Sequence, residues 1–281
     1  MPNNLIFITF DSCRYDSFLN AKTPNIDKLG KTEKRYSYAS WTYPSHTVYM
    51  MGQIPHTNPK GVFASEVYKE EFAKWGDRLN IKDISFKAFV PRLSLPAFLK
   101  QHGYKTHALV SMPVLNQTTS INNHFDRFKL MDAHNDFNAM IDAMEFEADK
   151  PSFYLMNVGE THYPYTLPGE SGANLPKLHG LHGVFKHMDD MIANPEAVSL
   201  SEKHQEFFNQ EAMAILHKKQ QSNVEYLDGL MAKLYEKVPK DTYIIVTSDH
   251  GELFGEEGFF GHGPIVHEKV FEVFFVEGKI K

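Results

Sequence analysis

The sequence predicts an α/β domain with a largely parallel central sheet flanked by helices, on three observations. Residues 5–10 (LIFITF) and 243–246 (YIIV) are short apolar runs, suited to strands buried on both faces. Segments of strand character alternate with segments of helical spacing. Both apolar runs also stop abruptly in acid, the first in Asp11 and the second in Thr247-Ser248-Asp249-His250. Ligands of such sheets gather at the carboxyl ends of the strands. A neighbouring Asp and His carry the lone pairs that suit a divalent cation there. Taken alone, the same pair is also what a capping Asp and a surface His look like.

The 281 residues allow one large domain with a full core or two small ones, and no break in composition divides them, so a single domain over 1–281 is expected. A net charge of -6 argues against a general nucleic-acid binder, whose affinity rests on basic surface. No apolar run approaches a membrane span, and no basic-then-apolar leader follows Met1. Cys13 is the sole cysteine, which excludes an internal disulfide. These features together predict a cytoplasmic protein without membrane or nucleic-acid partners. Fifteen histidines make metal chemistry worth seeking.

Taken in order, Ser12, Cys13, Arg14 and Asp16 follow the first strand, with Arg14 and Asp16 spaced as a local salt-bridging pair. Asn25 and Asp27 mark a turn leading into a short helix. In residues 40–52 (SWTYPSHTVYMMG), Pro44 sets the backbone ahead of Ser45 and His46, and Val48, Met50 and Met51 predict a helix. Helix N-termini bind anions through unpaired N–H groups, so a Thr42 hydroxyl just before one is placed to meet phosphate or sulfate. An N-cap or turn role would use the same residue. Residues 53–63 read as a loop. Residues 94–102 read as a helix capped by Ser94 and stopped by Gly103, with a strand at 106–111. His102 and His107 beside it read as structural. A polar connection fills 113–132, a helix is expected at 137–146, and a strand at 153–158.

That strand is the third to end in chemistry, with Glu160 and His162 at its exit. Residues 169–197 are rich in Gly, His and Pro and read as a lid or insertion, bounded at about 170–199. The long helix expected over 200–237 has Ser199 and Glu202 at capping-box spacing and an apolar face of Val224, Leu227, Leu230, Met231 and Leu234. After the 242–248 strand come a glycine-rich loop and a last strand at 270–276.

With these pieces in place, the chain resembles the sulfatase and alkaline phosphatase superfamily of metal-dependent hydrolases. The resemblance rests on ITFDSCRYD, WTYPSHTVYMMG, LPAFLKQHGYKTHALVS, ETHYPY and TSDHGELFGEEGFFGHG, in that order along the chain. It implies an alkaline-phosphatase-like three-layer sandwich, with no counterpart to the C-terminal subdomain of full-length sulfatases. The family's nucleophile opens a C/S-x-P-S-R motif, where this chain has Thr42-Tyr43-Pro44-Ser45-His46. Sulfatases oxidise that Cys or Ser to formylglycine. Thr carries a β-methyl group and cannot give the same aldehyde, so the resemblance points to phosphodiester or phosphonate ester hydrolysis. Sulfate ester hydrolysis, transfer to an alcohol acceptor, and a non-catalytic binding relative are the alternatives.

By resemblance, Asp11, Asp249 and His250 hold a divalent cation with the Thr42 hydroxyl as a further ligand. Coordination lowers the hydroxyl's pKa, and Thr42 attacks phosphorus to form a phospho-threonine. His162 and His262 match the family's additional histidines, with roles in catalysis, in binding the non-transferred oxygens, or in a second metal site. Ser45, His46 and Glu252 are expected to support the site or touch substrate, Glu160 is a weaker candidate, and His267 is read as structural. Carboxylates with imidazole suit zinc or manganese, while magnesium or calcium stays open. One or two ions per chain fit the donor set. The expected partner is a small anionic ester, with self-association into a homo-oligomer left open.

Overall fold

Residues 2–51, 69–82, 84, 94–176, 209–263 and 265–280 are described in the computed structural model of the chain. Strand β1 (Asn4–Phe10) leads to helix α1 (Tyr15–Leu19), strand β2 (Glu33–Tyr36) and helix α2 (Thr42–Met51). Helices α3 (Lys69–Leu79) and α4 (Leu95–Gln101) precede strands β3 (Lys105–Val110) and β4 (Arg127–Leu130). Helix α5 (Phe137–Asp142), strand β5 (Ser152–Val158), the long helix α6 (Gln210–Lys237) and strand β6 (Thr242–Ser248) follow. A hairpin of β7 (Leu253–Phe254) and β8 (Phe260–Gly261), helix α7 (Glu268–Phe271) and strand β9 (Glu272–Lys279) complete the described elements.

Seven strands form one sheet in the order β2-β9-β6-β1-β5-β3-β4. All pairs are parallel except those of β9, which runs antiparallel to β6 and β2. β1 therefore lies between β5 and β6, at the point where the strand order turns outward both ways, and a crevice for ligand opens there in such sheets. The register matters more. Phe10 faces Val158 on one side and Ser248 on the other, so three strands end level. Asp11, Gly159 and Asp249 leave the sheet side by side.

Alternation along β1 builds the three layers. Ile6, Ile8 and Phe10 point to one face and pack with Phe18 of α1, Phe137 and Ile141 of α5, and Val224, Leu227, Met231 and Leu234 of α6. Leu5 and Phe7 point to the other face, toward Met50 of α2, Leu79 of α3 and Phe98 and Leu99 of α4. Burying each such side chain stabilises the fold by about 1.5–3 kcal/mol. The stripe predicted on the long helix is the stripe that is buried, with Leu230 at its half-buried margin.

Differences from the expected elements have local causes. β2 (EKRY) and β4 (RFKL) went unpredicted because they are the edges of the sheet, and edge strands carry charge rather than an apolar run. The last strand starts at Glu272 and not at 270, because residues 268–271 form the turn α7, capped by His267 through Lys269 N. It runs on to Lys279 because β6 pairs with it along that length. α5 ends at Asp142 rather than 146. The Tyr154 hydroxyl bonds both Glu145 N (2.8 Å) and Glu145 O (2.7 Å), drawing those groups out of a helical ladder. α2 begins at Thr42 itself, with Pro44 tolerated in the first turn. The described part of the long helix is capped by Asn209, which accepts from Glu211 N and Ala212 N. The Ser199–Glu202 pair, the 53–63 loop and all but residues 170–176 of the expected insertion lie outside the described residues. No described helix is long and apolar enough to cross a membrane.

Candidate active site

Because the strands end level, the ligand atoms of Asp11, Asp249 and His250 come within 4.8 Å of one another, all three side chains buried. α2 delivers the fourth group. Its first residue, Thr42, is 3 % exposed and has Oγ1 at 3.4 Å from both Asp11 Oδ1 and His250 Nε2. Asp249 Oδ2 stands 3.4 Å from His250 Nε2. A tetrahedron with arms of ~2 Å has edges of about 3.3 Å, so these separations suit four donors around one small cation.

The electrostatics ask for that cation. Burial, and then the neighbouring charge of Asp11, push the Asp249 carboxyl well above the usual range. Burial works the same way on Asp11, but His162, His250 and a hydrogen bond from Asn157 Nδ2 (2.7 Å) outweigh it and lower its pKa. Two buried carboxylates this close cannot both stay ionised without a positive partner. Asp249 Oδ1 accepts from Ser12 N (3.1 Å) and His250 N (3.0 Å), yet the buried Oδ2 has no hydrogen-bond partner. An orphaned carboxylate oxygen 3.4 Å from an imidazole nitrogen fits a divalent cation, and the oxygen–nitrogen donor set fits zinc or manganese better than calcium.

The imidazoles are arranged to serve such a centre. His250 donates Nδ1–H to Gly251 O (2.9 Å), His162 to Tyr163 O (2.7 Å) and His46 to Thr42 O (2.9 Å). His262 Nδ1 meets Glu252 Oε1 at 3.2 Å. Each bond fixes the tautomer and leaves the Nε2 lone pair available, as is usual for histidines that bind metal. Burial lowers the pKa of His250 well below normal and that of His46 to about 4, so both rings are neutral. The His262 ring lies 4.3 Å from the His250 ring and 5.3 Å from the His162 ring.

Asp11, Thr42, Asp249, His250, His162 and His262 are thus brought together. His46 sits beneath them, Nδ1 3.8 Å from Asp249 Oδ2. Ser45 stands apart, closing the preceding turn by donating to Ala39 O (3.3 Å) and meeting Ser37 Oγ (3.1 Å). Glu160 turns toward α5, where Oε1 accepts from Phe137 N (2.7 Å); burial raises its pKa to about 7.

Several contributors escaped the sequence reading. Ser12 takes a left-handed backbone (φ 60) that aims its N–H at Asp249, and its hydroxyl donates to Asp11 Oδ1 (3.0 Å). Gln220 of α6 donates to Ser12 O (3.0 Å) and Thr161 O (2.9 Å), tying two strand exits together. Asn223, one turn on, donates to Glu160 O (2.6 Å) and Tyr165 O (2.8 Å). A signal existed: Gln220 and Asn223 are polar residues at helical spacing on the face that packs inward.

The predicted Arg14–Asp16 pair forms (2.6 Å), and Arg14 also reaches Glu256 beside the β7–β8 hairpin. Burial opposes ionisation of Asp16, but His217 and Arg14 outweigh it and hold the carboxyl far below its ordinary 3.8. A depressed folded pKa gives stability that is present above the unfolded value and lost as pH falls. The Tm gap between wild type and Asp16→Asn should therefore be open at pH 7 and narrow below about pH 4. A gap of constant size from pH 7 to pH 3 would show that the ion pair contributes nothing.

The chain matches the family model described as Sulfatase over residues 3–269. A comparison with curated proteins finds no match. Among solved structures it is similar to the C-terminal periplasmic domain of EcEptC from Escherichia coli, in complex with Zn (TM-score 0.55, 13% identity, covering 100% of this chain and 73% of that one). It is similar to the phosphonate monoester hydrolase of Agrobacterium radiobacter (TM-score 0.54, 14% identity, covering 99% and 68%). A third likeness is to a protein in the alkaline phosphatase superfamily from Vibrio parahaemolyticus (TM-score 0.50, 15% identity, covering 100% and 61%). Identities this low establish the fold alone, whereas the family match spans almost the whole chain and takes in every residue of the site. The chain belongs to the sulfatase family.

Proposed function

We propose that the chain cleaves phosphate esters, phosphodiesters or phosphonate esters, with Thr42 Oγ1 as nucleophile and a phospho-threonine intermediate. The observation that carries this reading is the placement of that oxygen, 3.4 Å from groups on two different strand exits and at the N-terminus of α2. Asp11, Asp249, His250 and the Thr42 hydroxyl would hold a divalent cation, zinc or manganese, which lowers the hydroxyl's pKa and offsets the phosphoryl charge. The Thr42 hydroxyl proton faces Asp11 Oδ1. His162 presents Nε2 to the same space and orients the non-transferred oxygens. Burial works against a proton on His262, but Glu252 outweighs it and raises the pKa, which equips His262 to protonate the leaving oxygen. Sulfate esters are disfavoured because the methyl group of Thr42 blocks formation of the aldehyde that sulfatases use.

The test is a panel of p-nitrophenyl phosphate, bis-p-nitrophenyl phosphate, a phosphonate ester and a sulfate ester, with the protein loaded with zinc or manganese. Diester or phosphonate cleavage, abolished by a chelator and restored by the ion, is the expected result. Turnover of the sulfate ester alone would refute the assignment. Acid-quenched intact mass spectrometry with the diester should find one adduct, the phosphoryl group still bearing its second ester group, and Thr42→Ala should show none. Added alcohols distinguish hydrolysis from transfer through the products formed.

A further inference from the structure

Tyr165 is a large residue with no exposure, held at a φ of 59 that bulky side chains rarely adopt. Two hydrogen bonds maintain it there, Tyr165 N to His162 O (2.8 Å) and Asn223 Nδ2 to Tyr165 O (2.8 Å). The conformation sends the ring into a pocket of Met213, Leu216, Phe254 and Phe260 and its hydroxyl onto Glu252 Oε2. Glu252 is 1 % exposed, and its other oxygen, Oε1, meets His262 Nδ1 at 3.2 Å. The contacts close a ring. The turn that carries His162 carries Tyr165, Tyr165 grips Glu252, Glu252 grips His262, and the His262 ring returns to 5.3 Å from the His162 ring.

We infer that Tyr165 is a positioning residue. Acting through Glu252, it fixes the placement of His262 relative to His162, although it touches neither imidazole through its hydroxyl. A carboxylate with both oxygens committed cannot rotate about its last bond, so His262 inherits one orientation. Without the phenol, Oε2 would be buried and unpaired, and Glu252 would be free to turn toward any other donor. This inference rests on the reading of His262 as a group that acts on the substrate.

The experiment compares Tyr165→Phe, Glu252→Gln and the double variant in the metal-loaded protein. Tyr165→Phe keeps the ring in its apolar pocket and should lower kcat on the best ester of the panel by about 10- to 100-fold, the usual scale for outer-shell partners of such histidines. KM should stay within about twofold. Coupled residues are not additive, so the double variant should be no more than about twofold slower than Glu252→Gln alone. Imidazole 15N spectra, recorded at alkaline pH where the ring is neutral, supply a readout independent of turnover: His262 should be a single Nδ1–H tautomer in the wild type and a mixture in Tyr165→Phe. An unchanged His262 spectrum, or losses that multiply in the double variant, would overturn the inference. If no ester in the panel reacts, the proposed reaction fails and the spectra alone decide the role of Tyr165.

Discussion

Alanine at position 42 should reduce turnover on the order of 10,000-fold or more while leaving the cation bound. The scale follows from other enzymes in which the nucleophile has been deleted, where binding and charge stabilisation survive and the covalent route does not. Thr42 adds one oxygen to a site whose other three donors come from Asp11, Asp249 and His250, so metal content by elemental analysis should fall little. Serine at the same position keeps the oxygen and should retain most of the activity. Asp249→Ala makes the opposite case. It removes the carboxylate whose Oδ2 has no other partner, and the purified variant should be depleted of metal as well as inactive. Near-normal rates in Thr42→Ala on phosphodiesters would place the nucleophile elsewhere.

The second large effect lies in backbone packing. A Cβ on Gly251 would stand 2.0 Å from Lys269 O, a backbone atom that cannot swing aside as a side chain can. Gly251 N also donates to Val270 O (2.7 Å), which clamps the residue after His250 against α7. Gly251→Ala must therefore push His250 and α7 apart. Overpacking commonly costs about 1–3 kcal/mol and more where backbone is hit, so the variant should melt well below the wild type and bind metal weakly. Gly159, where a Cβ would come 1.9 Å from His134 O, is under the same constraint at the exit of β5. If Gly251→Ala kept the Tm and metal content of the wild type, the close approach of α7 would be wrong.

The sheet was legible because its central strands are buried on both faces, and burial writes itself as uninterrupted apolar sequence. LIFITF and TYIIV could hardly be anything else, and the chemistry at their ends followed from where they stop. The edges of the same sheet were not legible, since β2 and β4 present charge to solvent and resemble any polar connection. The three groups of the candidate metal site were legible because Asp11, Asp249 and His250 each lie at or next to the exit of a strand that sequence identifies. Thr42 was found through the resemblance of its motif. Tyr165, Gln220 and Asn223 were missed because their roles depend on which loops α6 passes, and helical spacing reports only the direction a side chain faces.

By itself, then, the sequence determined the α/β class, the buried strands, the long helix and the residue types able to hold a cation. Local propensity and alternation are enough for these, because each is a property of neighbours along the chain. Tertiary structure decided that β1, β5 and β6 end level, that the two aspartates share one pocket with the Thr42 hydroxyl, and that four histidines have Nδ1 turned to an oxygen. Those are distances between residues as far apart as 11 and 249, set by strand register and by the packing of helices on both faces, and no local pattern encodes them.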